Sequence, residues 1–147
     1  MNKACLIPPP IIFILCAFLM KWLPPIFVLP VPHTFSLIVA TLGCFIGLFA
    51  AWQFLHHKTT PNPIELTKSS YLITNGVFSL SRNPMYLSLL IVLIAWAFYL
   101  TSVSAFLGVG FCFIYLNYWQ IPAEERALCS LFGAQYVAYC QQARRRI

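Results

Sequence analysis

The sequence predicts an all-α, polytopic membrane protein with about four spans and an amphipathic C-terminal helix on the cytoplasmic face. Of its 147 residues, 61% are hydrophobic and 8% are charged, whereas soluble domains are about a quarter charged. A chain of this length suits one domain over residues 1–147. Because no room remains for a separate soluble domain, we expect any active site to lie in or beside the bilayer.

The apolar residues fall into four segments whose lengths approach that of a membrane span. The second is free of charge and about 20 residues long, as a spanning helix requires. The third and fourth reach roughly 24–26 Å, against a hydrocarbon core of ~30 Å. Thr101-Ser102 between them suits a tight turn, so we expect an antiparallel helix pair. The first segment is broken by prolines and completes four spans if it crosses once. The segments are residues 6–31, 35–55, 85–100 and 103–119.

The basic residues predict the orientation of these spans. Most of them follow the second or the fourth segment, and the turn near Thr101 carries none. The positive-inside rule therefore places the long loop and the C-terminal tail in the cytoplasm. Lys3 agrees with this orientation, and Lys21 disagrees. The run after Lys3 also resembles a secretory signal, but its three consecutive prolines favour retention. The cytoplasmic basic residues are Lys58, Lys68, Arg82, Arg126 and residues 144–146.

The remaining composition argues against nucleic-acid, disulfide and metal chemistry. The net charge of +6 is interpreted as contact with anionic headgroups, since no basic and aromatic stripe suggests nucleic-acid binding. The six cysteines contain no Cys-x-x-Cys pair, and we interpret them as free thiols. His56 and His57 are neighbours that diverge on a helix, so no metal site is expected.

Two of the three acidic residues of the chain, Glu124 and Glu125, are adjacent. Neighbouring helical positions point about 100° apart, so the two carboxylates cannot share one target. One interpretation is structural, because Pro122 suits the first turn of a new helix and acids favour its N-terminus. The other is a carboxylate that holds a cationic or hydroxyl-bearing ligand. The helix is predicted to run to about Ala143, with an apolar face formed by Leu128, Leu131, Phe132, Tyr136 and Tyr139.

Arg82-Asn83-Pro84 marks the point where the loop meets the third span. Arg82 is either an interfacial anchor or a functional cation. Asn83 and Pro84 are typical of a helix start, as cap and first residue. Tyr86 suits an aromatic belt. Gly108-x-Gly110 is a weak indication of close helix packing.

Taken together, these motifs resemble the isoprenylcysteine carboxyl methyltransferase and phospholipid methyltransferase superfamily of integral membrane enzymes. Each motif alone is modest, but their order, spacing and membrane positions agree with that superfamily. Gln120-Ile121 stands where the eukaryotic prenylcysteine enzymes carry an Arg for the substrate carboxylate. The matching residues are Thr60-Pro61, Tyr71 to Phe78, Arg82 to Tyr86, and the run from Glu124-Glu125 through Leu128, Phe132-Gly133 and Tyr136 to Tyr139.

The resemblance implies a membrane methyltransferase of the bacterial inner membrane that uses S-adenosylmethionine on its cytoplasmic face. A lipid or prenylated acceptor would enter sideways from the bilayer. The resemblance assigns catalytic roles to Arg82 and Tyr86. The implied cofactor-binding residues are Ser70, Tyr71, Leu72, Ile73, Gly76, Phe78, Asn83, Pro84, Met85, Tyr86, Glu124 and Glu125.

Three alternatives stay open beside a carboxylate-methylating enzyme. The first is methylation of a phospholipid amine. The second is a membrane reductase related to the sterol reductases, which uses a nicotinamide cofactor. The third is a non-catalytic membrane homologue or scaffold.

Overall fold

The fold of the computed structural model is a bundle of helices. The structure describes residues 7–56, 72 and 74–143. Its helices are α1 (Pro9–Trp22), α2 (His33–His56), α3 (Val77–Leu80), α4 (Pro84–Tyr99), α5 (Phe106–Tyr115), α6 (Ile121–Phe132) and α7 (Ala134–Gln142), with a 3-10 turn at Val103–Ala105 and a π-helix at Leu116–Gln120.

Four helices, α1, α2, α4 and α5, cross between two ends of the bundle. At the first, here called the turn end, the segment after α1 pairs with the α4–α5 turn: the Leu29 amide donates to the Thr101 carbonyl at 2.8 Å. At the second, the loop end, the Ile7 amide lies 3.1 Å from Tyr115 Oη. The predicted antiparallel pair is therefore confirmed. The first segment, whose number of crossings the sequence left open, passes once between the two ends of the bundle. Lys21, the basic residue that disagrees with the predicted orientation, lies in the last turn of α1, at the turn end.

The bundle has an apolar core and an apolar outer surface. The core is formed by α1, α4 and α5, and includes the thiols of Cys16 and Cys112. Within the described residues, one helix is long and apolar enough to cross a membrane, at His33–Gln53 with a mean hydropathy of 2.1. Large apolar side chains cover the outside of α1, α2 and α5, as lipid contact requires. The predicted all-α membrane fold is confirmed.

A helix starts at Ile121 with Pro122 in its first turn, as predicted, but no break precedes it, and the chain is helical from Phe106 to Phe132. Tyr115, Leu116 and Gln120 all have right-handed helical angles. A proline inside an α-helix clashes with the carbonyl four residues earlier, and here the wider π-helix at Leu116–Gln120 directly precedes Pro122. Glu124 and Glu125 consequently lie inside a continuous helical stretch, and not at a free N-terminus.

The predicted single tail helix is wrong, because the chain bends at Gly133. This glycine has φ 52°, a backbone conformation that residues with a Cβ rarely adopt. The bend ends α6 and starts α7. It brings Tyr136 and Tyr139, both 5% exposed, onto the loop end of the bundle, while Leu131 is 40% exposed and leaves the predicted apolar face.

Helices α2 and α4 approach closely because glycines face α4. A Cβ built on Gly43 would lie 2.8 Å from Val92 Cγ2 and 3.1 Å from the Val92 backbone nitrogen. A Cβ on Gly47 would lie 2.7 Å from Ser88 Oγ. Small residues spaced in this way allow helix backbones to meet in a membrane. Of the two glycines that the sequence singled out, Gly108 also packs closely, since a Cβ there would lie 2.3 Å from Met20 Cγ on α1, whereas nothing lies within 4 Å of a Cβ on Gly110.

We expect Gly43→Ala to lower the thermal stability of the protein, because the added methyl group meets the backbone of α4. Overpacking of this kind costs about 1–3 kcal/mol. Gly110→Ala is the matched control, since nothing lies within 4 Å of a Cβ at that position and alanine favours the helix. Thermal unfolding in detergent measures both variants, and equal melting temperatures would contradict this packing argument.

Candidate functional site

An ion pair joins the loop end of α4 to the tail. Arg82 Nη1 lies 3.1 Å from Glu125 Oε1 and 3.1 Å from Cys140 Sγ. The side chains of Arg82 and Glu125 are 17% and 24% exposed, so both charges are largely removed from solvent. Partial burial of opposite charges requires good geometry. Two residues that sequence reasoning related only through a resemblance therefore touch each other.

Local backbone conformation sets the position of Arg82. The short helix α3 ends at Ser81, which is extended at φ −141°, and Pro84 then starts α4 as its first residue. The backbone N–H of Asn83 donates to Ser81 Oγ at 3.2 Å. The predicted start at Pro84 is confirmed, but the side chain of Asn83 makes no capping bond. Its Nδ2 is buried and has no partner among the described residues.

A second polar group surrounds Glu124. Tyr86 Oη donates a hydrogen bond to Glu124 Oε1, and Gln120 Nε2 donates to the same oxygen at 2.6 Å. Gln120 belongs to the π-helix and is 3% exposed, and its Oε1 has no partner in the described part of the chain. Interruptions of this type in α-helices are frequent at functional sites.

The two adjacent carboxylates thus serve different partners. Glu124 faces Tyr86 on α4, and Glu125 faces Arg82 just before α4. The prediction that they could not share one target is confirmed. They organise two neighbouring polar groups at the same end of the bundle.

Burial raises the pKa of the Glu124 carboxyl above its ordinary value. The hydrogen bonds from Tyr86 and Gln120 lower this pKa, and the charge of Glu125 raises it further, but burial is the largest cause. A carboxyl group in this environment holds a proton at a higher pH than an exposed one. It is therefore better suited to accept a proton from a bound group.

We expect Glu124→Gln to reduce the loss of stability that accompanies rising pH. A raised pKa in the folded state means that folding is favoured while the group is protonated. This contribution is lost as pH rises from the ordinary value of the carboxyl through its folded value. The amide of glutamine keeps the accepting oxygen and cannot ionise. Melting temperatures across a pH series measure the effect, and an unchanged slope in the variant would contradict it.

A hydrogen bond from a tyrosine side chain joins α7 to α3. Tyr139 Oη donates to the Phe78 carbonyl at 2.6 Å, and burial raises the pKa of Tyr139 to about 12. The hydroxyl is therefore protonated and able to donate at neutral pH. The side chain of Phe78 packs on Ala50 of α2. Leu72 packs against the cluster of Tyr136 and Tyr139.

The structure brings most predicted site residues to the loop end. Ser70, Tyr71 and Ile73 lie outside the described residues, as do His57, Lys58, Thr60, Pro61, Lys68 and residues 144–146. Sequence reasoning missed Gln53, which bonds the Asn75 carbonyl, and Cys140. The signal that could have identified Gln53 was a long polar side chain in a segment that is uncharged and largely apolar. The predicted residues at the loop end are Leu72, Gly76, Phe78, Arg82, Asn83, Pro84, Met85, Tyr86, Glu124 and Glu125.

Comparisons with known proteins identify the family of the chain. The phospholipid methyltransferase family matches residues 31–135, which include α2, α4, Arg82 and both carboxylates. An uncharacterized protein of Haemophilus influenzae is 46% identical over 61 residues, which are 42% of this chain and 97% of that protein. No solved structure matches. Because the family match covers most of the chain and the paired site residues, the chain belongs to the phospholipid methyltransferase family, within the superfamily that its motifs resemble.

Proposed function

We propose that the protein transfers a methyl group from S-adenosylmethionine to a lipid-linked acceptor in the membrane. Membership of the family supports membrane methyl transfer in general. The observation that carries the specific proposal is the meeting of two polar groups, Arg82–Glu125 and Tyr86–Glu124, at one end of an apolar bundle. The chain has three acidic residues, and two of them, Glu124 and Glu125, belong to these polar groups.

The residues present fit a polar, cationic cofactor. Five buried side-chain polar atoms lack a partner in the described structure, and three of them lie around the two carboxylates, namely Arg82 Nε, Asn83 Nδ2 and Gln120 Oε1. Each such atom costs about 1–3 kcal/mol when it stays unsatisfied. A ligand that offers both donors and acceptors removes that cost. S-adenosylmethionine is such a ligand, and it supplies a methyl group already activated by the charge of its sulfonium.

The work left to the chain is alignment and the exclusion of water. Positioning alone contributes up to about 7–11 kcal/mol in favourable cases, so no catalytic triad is needed. In this proposal Glu125 orients the cofactor through its ribose or amino group. Arg82 and Asn83 hold the polar end, and Tyr86 lines the channel along which the methyl group passes.

The groups around Glu124 favour an amine acceptor over a carboxylate. Glu124 accepts hydrogen bonds, Gln120 Oε1 is an acceptor without a partner among the described residues, and an ethanolamine headgroup is a donor. The raised pKa of Glu124 suits it to take the proton that an ammonium must lose before it can be methylated. A carboxylate acceptor would instead depend on Arg82, whose Nη1 is bonded to Glu125 and whose Nε, which has no partner among the described residues, is assigned in this proposal to the cofactor.

The site is proposed to face the cytoplasm. Arg82 and Arg126 lie at the loop end, on the elements that carry the site. The positive-inside rule assigns such an end to the cytoplasmic side of a bacterial inner membrane. Anionic headgroups would then contact the basic tail, and the acceptor would reach Tyr86 from the inner leaflet.

The test is methyl transfer by purified protein in phosphatidylcholine vesicles that contain either phosphatidylethanolamine or a prenylcysteine. Radiolabelled S-adenosylmethionine supplies the methyl group. We expect label in the ethanolamine lipid, in a form that resists mild alkali, because N-methyl groups survive conditions that hydrolyse methyl esters. Alkali-labile label in the prenylcysteine would overturn the amine assignment. Absence of label in both, without binding of S-adenosylhomocysteine, would overturn the proposed function and favour a non-catalytic homologue.

A further inference from the structure

Gln53 is a nearly buried amide near the loop end of α2. It is 7% exposed, and it lies one turn after Ala50, which packs against Phe78. Its Nε2 donates to the Asn75 carbonyl at 3.1 Å. Its Oε1 is buried and has no partner in residues 7–56, 72 and 74–143. The Nε2 atom of this amide is therefore hydrogen-bonded within the described protein, and its Oε1 atom is not.

The turn before α3 is shaped to receive this side chain. Gly76 has φ 62°, which residues with a Cβ rarely adopt. A Cβ at this position would lie 2.2 Å from Gln53 Nε2 and 3.0 Å from Gln53 Oε1. Glycine is thus required by the backbone and also by the space that the amide occupies. The fit fixes the orientation of Gln53, so that Oε1 cannot turn away to find another partner without breaking the Asn75 bond.

A buried amide oxygen that is held in place without a donor is costly in a protein interior. A methionine of similar length would fill the same space on this apolar helix without that cost. The turn that Gln53 supports leads directly through α3 to Arg82 and Asn83, which form the polar end of the proposed site. The unused oxygen therefore belongs to the same loop end as Arg82 Nε, Asn83 Nδ2 and Gln120 Oε1, whereas the fifth unpartnered atom, Ser36 Oγ, lies near the turn end.

We infer that Gln53 is a ligand-binding residue of the methyl-transfer site. Its Nε2 fixes the Asn75–Gly76 turn, and its Oε1 accepts a hydrogen bond from an N–H or O–H group of S-adenosylmethionine. This inference rests on the proposed function. It adds a residue from α2 to a site otherwise built from the loop, α4 and α6.

Gln53→Met tests the inference by removing both polar atoms while keeping the length of the side chain. Calorimetry on the full-length protein in detergent gives the Kd for S-adenosylhomocysteine. We expect the Kd to rise about 10- to 100-fold, the range that corresponds to loss of one buried hydrogen bond to a ligand. Gln141→Met is the matched control, because Gln141 is exposed on α7. The Kd of this variant for S-adenosylhomocysteine should equal that of the native protein.

Ligand analogues separate direct binding from support of the turn. The probes are S-adenosylhomocysteine analogues that lack the adenine amino group, the 2′-hydroxyl or the 3′-hydroxyl, together with one that lacks the α-amino group. If Gln53 touches the ligand, one analogue binds the native protein more weakly than its parent, and Gln53→Met abolishes that difference. If the ratio of each analogue's Kd to that of S-adenosylhomocysteine is the same in the native protein and in Gln53→Met, Gln53 acts only through the turn and the inference is overturned.

Glu125→Gln distinguishes failure of this inference from failure of the proposed function. Loss of binding in Glu125→Gln with native affinity in Gln53→Met overturns the role of Gln53 alone. Absence of binding to the native protein overturns both. Thermal unfolding of each variant confirms that it is folded before its affinity is compared.

Discussion

Glu125→Ala is expected to weaken the binding of S-adenosylmethionine about 10- to 100-fold, the range given by the loss of one charge-assisted hydrogen bond. The carboxylate is proposed to orient the cofactor, and it also holds Arg82 at 3.1 Å. Its removal leaves a cation that is 17% exposed without its partner. The guanidinium then repels the sulfonium and loses its fixed position. Calorimetry on the purified protein measures the effect.

Two further variants make this result specific. Glu125→Gln keeps the shape of the side chain and one acceptor oxygen, so it should fold even if the alanine variant is unstable, and it should still bind more weakly than the native protein. Arg126→Ala changes the charge of the next residue, which is exposed, and should leave the affinity unchanged. Native affinity in both Glu125 variants would remove Glu125 from the site.

The parts of the fold that depend on local signals were predictable. Thr101 lies between two apolar runs, and the structure turns there with φ 49°. Pro84 starts α4 as expected, since proline suits the first position of a helix. Pro122 lies in the first turn of α6 as expected, although the π-helix before it joins α6 to α5. Gly133 was the misleading signal, because it bends the tail instead of lying inside one helix.

The contacts that build the site were beyond local reasoning. Arg82 and Glu125 are 43 residues apart in the chain, and only a resemblance suggested that they meet. The partner of Gln53 is a backbone carbonyl in the following loop, which no side-chain pattern reveals. Likewise, Gly43 and Gly47 matter because of the distance between α2 and α4, which emerges only when both helices are packed.

Tyr86→Phe is expected to lower the turnover number for an amine acceptor about 10- to 100-fold, within the range of positioned proton-transfer and hydrogen-bonding groups. Its affinity for S-adenosylmethionine should change little. The substitution keeps the ring that lines the proposed channel and removes the hydroxyl that donates to Glu124 Oε1. Of its two hydrogen bonds to described residues, Glu124 then keeps the one from Gln120, so its carboxylate is less firmly aimed at the acceptor amine.

Tyr118→Phe is the matched control for this prediction. Tyr118 lies on the π-helix and is 68% exposed, so loss of its hydroxyl removes no buried contact with the site. Initial rates at saturating cofactor, with the ethanolamine lipid varied, separate the turnover number from the Michaelis constant. A native turnover number in Tyr86→Phe would show that the Tyr86–Glu124 bond only stabilises the fold. A selective fall in Tyr86→Phe would place the acceptor beside Glu124, because a hydroxyl that served packing alone would alter melting temperature without altering the rate.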